Sequence, residues 1–251
     1  MSSRDAPNAT VPREPTSDIR TRLETLALVV VGFTVALSLS HVLIGIVSEL
    51  FSVDEPGTLS RLLAGILALQ VVGFGGVVGV FLWLGNEPWR SELRLGPVSE
   101  WVVFYGTVVG LALMVVASLA TGLFRLLDVE PAESAVGVAQ DPLFYVVLFV
   151  VSTVVVVPLE EVFFRGFVQR RLERSFHAGV AICVASLFFM LVHTGISVGT
   201  GGEALALGLF FSLGVVLGVG YHATGNLFVP VLGHALFNGV QILVRTIEVL
   251  A

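Results

Sequence analysis

PLFYVVLFVVSTVVVVPLEEVFFRGFVQRR, residues 142–171, opens as an unbroken apolar run and ends among two adjacent carboxylates and an arginine. From Pro142 to Pro158 no side chain is charged, and a run of about 17–25 predominantly apolar residues has the length of a membrane span. Glu160, Glu161 and Arg165 then arrive before the chain has left apolar composition. Bilayer interior is an expensive place for them, at about 2.5–3.5 kcal/mol per charged side chain on insertion scales, so they are expected to face one another or a wet cavity. Two further clusters repeat the pattern downstream: Phe189-Met-Leu-Val-His193 and His234-Ala-Leu-Phe-Asn238.

The rest of the chain agrees. Its 251 residues are 55% hydrophobic and 13% charged, where soluble domains carry about 25% charged residues. Mean hydropathy is +0.95. Beside Pro142–Pro158, apolar runs at Leu26–Val47, Leu62–Leu84, Trp101–Leu123, Ala178–Val192, Leu205–Tyr221 and Leu227–Val249 read as spans. The expected fold class is all-α, a polytopic transmembrane helix bundle of seven spans, or eight if a Gly- or Pro-broken run counts twice. Residues 1–24, rich in Pro, Ser, Asp and Arg, read as a disordered cytosolic tail. Residues 25–251 read as one membrane-embedded domain, with the polar clusters at about 143–240.

All 13 basic residues are arginines, and 19 acidic residues leave a net charge of −6. That balance, with no basic stripe, argues against a nucleic-acid partner. A Lys-free acidic composition points to a GC-rich, halophilic prokaryotic host. Arg4, Arg13, Arg20 and Arg22 precede the first span, Arg90 and Arg94 follow the second, and Arg170, Arg171 and Arg174 follow the fourth. This bias predicts a multi-pass protein of the cell membrane with a cytosolic N-terminus. The single cysteine, Cys183, precludes an internal disulfide and reads as a small core residue. Gly75-xxx-Gly79 and Gly214-xxx-Gly218 read as close helix packing. His41 and Gln70 read as interhelical hydrogen-bonding groups, and His177 and His222 as loop bystanders.

The clusters can meet. Glu161 and Arg165 share a helix face and can pair, while Glu160 lies about 100° around the helix. With straight helices, Glu160 lies about 21 Å from the arginine-rich edge, His193 about 22 Å, His234 about 12 Å and Asn238 about 18 Å. Such a set suits peptide hydrolysis, which needs an activated water, a proton donor for the leaving amine and a partner for the oxyanion. Glu160 with His193 can deprotonate a water; His234 and Asn238 can donate to the oxyanion. The competing scheme binds Zn²⁺ through Glu160, His193 and His234, with Glu161 as base. The residues alone leave both schemes open, Zn²⁺ or no cofactor. Two other classes use the same residues: a proton-coupled transporter with Glu160, His193 and His234 as relay, and a non-catalytic immunity or scaffold protein.

In these three motifs the chain resembles the CPBP (Abi or CAAX-protease) family of intramembrane proteases, relatives of the type II CAAX prenyl proteases. The family pattern Glu-Glu-x-x-x-Arg, Phe-x-x-x-His and His-x-x-x-Asn or Asp is met here by Glu160-Glu161-x-x-x-Arg165, Phe189-x-x-x-His193 and His234-x-x-x-Asn238. The resemblance implies a metallo- or glutamate-dependent endopeptidase acting on a peptide or protein substrate within membrane lipid. Glu160 and His193 are implied as the water-activating pair, His234 and Asn238 as oxyanion partners, and Glu161 with Arg165 as the brace. It also implies a site open toward the cytosolic side. Substrate and oligomeric state are not indicated.

Overall fold

The computed structural model describes residues 17–53, 55, 57–129, 139, 141–193 and 202–250. Within them the chain is helical, with α1 Ile19–Phe51, α2 Leu59–Leu84, α3 Glu100–Leu126, α4 Pro142–Leu172, α5 Ala178–His193, α6 Glu203–Thr224 and α7 Phe228–Leu250. A short helical turn, Trp89–Glu92, lies between α2 and α3. Six of the helices are long and apolar enough to cross a membrane. The seventh, α5, has 16 residues, about 24 Å at 1.5 Å per residue. The polytopic bundle expected from composition is what forms.

Boundaries differ from the sequence reading in two places. Helix α1 starts at Ile19, capped by Asp18, whose carboxylate accepts from the Thr21 N–H at 2.8 Å. Residues 19–24, expected to belong to the tail, are therefore helical; the tail through residue 16 lies outside the described residues. Helix α4 continues past Pro158 to Leu172. Proline lacks the N–H that an α-helix interior needs, and the helix accommodates it after a widened stretch at Ser152–Val156. There the Val157 N–H reaches back five residues to the Ser152 carbonyl. A second widened stretch, Val162–Gln169, follows the glutamates.

Hydrophobicity does not sort inside from outside in such a chain, because lipid is as apolar as the core. Large apolar side chains such as Val103, Leu119, Val154 and Leu243 cover the outer surface. Cys183 is exposed there as well, correcting the expectation of a core residue. His41 is exposed on α1, with no hydrogen-bond partner among the described residues. The interior is recognised instead by aromatic packing. Phe74 of α2 stacks on Phe163 of α4 at 4.4 Å between centroids, and Phe164 meets Phe189 of α5 edge-on at 5.3 Å.

One end of the bundle is tied by polar contacts. Arg94 pairs with Glu173 at 3.1 Å and Arg174 with Glu92 at 2.6 Å. His222, in the last turn of α6, bonds the same Glu173 at 3.0 Å, and Ser17 donates to the Ser175 carbonyl at 2.8 Å. His177 accepts from the Val180 N–H at 3.4 Å and so caps α5. The two histidines expected to be bystanders are thus structural contacts at this end. They join the start of α1, the α2–α3 and α4–α5 connections and the end of α6, the segments that hold most of the arginines.

Candidate active site

The site is built where the widened part of α4 crosses α2, α5 and α7. Glu160 (5% exposed), Glu161 (0%) and Arg165 (1%) are all buried there. Arg165 donates from Nη1 to Glu161 Oε1 at 3.1 Å and from Nη2 to the Gly214 carbonyl of α6 at 3.1 Å. Its guanidinium also lies 4.8 Å from the Phe189 ring centroid. Glycine at 214 makes the carbonyl reachable, since a Cβ there would sit 3.0 Å from Ser186 Cβ. One turn on, Gln169 donates to the Gly218 carbonyl at 3.0 Å in the same manner. The Gly214-xxx-Gly218 stripe is therefore close packing; in the other stripe, a Cβ at Gly79 would meet nothing within 4 Å.

His234 joins the two glutamates. Its Nδ1 lies 2.8 Å from Glu161 Oε1, and its Nε2 lies 3.9 Å from Glu160 Oε2. A carboxylate already paired with arginine can only accept, so Nδ1 carries the proton and Nε2 is turned to Glu160. His193, the last residue of α5, is likewise fixed through Nδ1, 2.7 Å from the Phe189 carbonyl. Its ring is held between Phe189 and Phe210, at 4.4 and 4.5 Å. The third motif divides: Asn238 does not bond His234 but donates from Nδ2 to Ser152 Oγ on α4 at 3.4 Å.

Four of the six residues singled out from sequence, Glu160, Glu161, Arg165 and His234, thus form one buried group, with half-buried His193 beside it against Phe189 and Asn238 one turn further along α7. Two neighbours join them. Ser152 carries no signal in an apolar run. Gln70 is the interhelical group its sequence suggests, but its partner is Glu160 itself, at 2.9 Å.

Both imidazoles present Nε2 with Nδ1 already engaged, the arrangement seen for metal-ligating histidines. Yet among the described residues no three His, Cys, Asp or Glu side chains converge closely enough to hold a metal ion. A cavity of about 530 Å³ elsewhere, lined by Trp101, Tyr105, Val109, Gly220 and Asn226 among others, contains none of the motif residues.

A buried carboxylate pair with an arginine and two histidines, inside a bundle of helices long and apolar enough to cross a membrane, defines the class: a polytopic helical protein with a polar intramembrane site. Residues 142–240 match the family model described as type II CAAX prenyl endopeptidase Rce1-like. That segment, somewhat under half of the chain, contains all three motifs and is similar to that family over those residues. No curated protein and no solved structure matches the chain.

Proposed function

We propose that the protein is an intramembrane endopeptidase in which Glu160 activates the attacking water. The observation that carries this reading is the unequal treatment of two adjacent glutamates. Glu161 Oε1 is engaged by both Arg165 and His234, whereas Glu160 Oε2 has only the His234 Nε2 at 3.9 Å. Each glutamate keeps one oxygen without a hydrogen bond among the described residues, so the partner of the other oxygen decides: a carboxylate bonded to a guanidinium and an imidazole is a brace, and one bonded to neither is the base.

Glu160 takes a proton from water as the oxygen adds to the scissile carbonyl carbon. It then returns that proton to the amine nitrogen as the C–N bond breaks. His193 orients the water through Nε2. The second Nδ2 hydrogen of Asn238 donates to the oxyanion, as does His234 from Nε2 once that nitrogen has taken up a second proton beside the one on Nδ1. Glu161 and Arg165 hold His234 in register. The arginine-rich end is placed at the cytosolic surface, following the positive-inside rule, and the substrate class is a membrane-associated peptide or protein, with a prenylated C-terminus as the first candidate given the family.

The test compares protein termini by mass spectrometry in cells carrying wild type or Glu160→Ala at equal membrane abundance. New peptide ends confined to wild type are expected, and they would name substrates. Identical termini would overturn the protease reading in favour of a scaffold or transporter.

A further inference from the structure

Gln70 sits on α2, outside the segment that matches the family model, yet its side chain ends at the base. Nε2 donates to Glu160 Oε1 at 2.9 Å, and both residues are 5% exposed. An ionised carboxylate can only accept, so the amide nitrogen must be the atom that faces it. Among the described residues this is the one hydrogen bond Glu160 receives. The ionisable groups around Glu160 are Glu161 and Arg165 from its own helix, His193 from α5 and His234 from α7; α2 contributes the neutral amide. Gln70 Oε1 is buried with no partner among the described residues, so nothing else in the fold explains burying an amide here.

The backbone under Gln70 is fixed as well. It lies in a widened stretch, Leu67–Gly75, a distortion frequently found at functional sites. The single hydroxyl hydrogen of Ser40 on α1 is shared between the Ala68 carbonyl at 2.9 Å and the Ala36 carbonyl of its own helix at 2.7 Å. Helix α1 thus anchors the turn of α2 that aims Gln70.

We propose that Gln70 is a positioning residue for the reaction. It occupies Glu160 Oε1 and thereby directs Oε2 toward His234 and the water. This rests on the reading of Glu160 as the base. It also gives the N-terminal helices a part in the chemistry.

The experiment uses the full chain in lipid vesicles with a peptide substrate identified from the termini comparison. Gln70→Met keeps the volume and removes the donor; Gln70→Glu keeps the shape and opposes Glu160 with like charge. Expected is a fall in kcat of about tenfold for Met and more for Glu, with KM within about twofold. Wild-type kcat in Gln70→Met, or a change in KM alone, would overturn the proposal. Thermal unfolding of Gln70→Met, Glu160→Leu and the double variant reads the contact without turnover: coupling is expected, and additive effects would overturn it. If Glu160→Gln cleaves like wild type while coupling persists, the reading of Glu160 as the base has failed and not the contact.

Discussion

Two halves of this bundle are equally apolar and differ in what they bury. Helices α4–α7 bring Glu160, Glu161, Arg165 and His234 together, pair Glu161 with Arg165 and His234, and set His193 beside them against Phe189. Helices α1–α3 supply mainly aromatic and small-residue packing, and of their buried polar side chains Gln70 is the one that reaches the glutamates. The difference teaches that in a membrane domain the polar side chains mark the inward face, and that the half carrying them carries the chemistry while the other half sets its walls.

Breaking the brace should have the largest effect. Glu161→Gln leaves Arg165 buried without its carboxylate, and removing one partner of a buried pair costs about 3–5 kcal/mol. Folded membrane abundance and thermal stability should fall together. The double variant Glu161→Leu, Arg165→Met should be more stable than Glu161→Gln alone. A smaller effect separates the two glycine stripes. Gly214→Val pushes a branched side chain against Ser186 and the carbonyl that Arg165 uses, for about 1–3 kcal/mol. Gly79→Val, with open space around it, should change thermal stability by no more than about 0.5 kcal/mol. The smallest is Ser152→Ala. Its contact with Asn238 is long, at 3.4 Å, and kcat should fall by less than about fivefold.

Much of this is legible in the residues. Spans follow from apolar length, and the pairing of Glu161 with Arg165 follows from helical spacing alone. Depth arithmetic brings Glu160 and His193 to one level. Other features are not legible, for identifiable reasons. Pro158 suggests a break, but a widened helix absorbs proline by shifting its hydrogen bonds, and no residue pattern announces that shift. Cys183 and His41 face outward because an apolar run looks the same on its lipid side and its protein side. Gln70 stands out as polar in a span, but its partner lies 90 positions away, and nothing local to either residue records that contact.

The central claim is that the two glutamates have separate duties, and the direct test sets Glu160→Gln beside Glu161→Gln in the same vesicles. Peptide cleavage and thermal unfolding are measured on each. The account predicts that Glu160→Gln cleaves about a thousandfold more slowly while unfolding near the wild-type temperature, and that Glu161→Gln loses stability first. Wild-type cleavage by Glu160→Gln would contradict it.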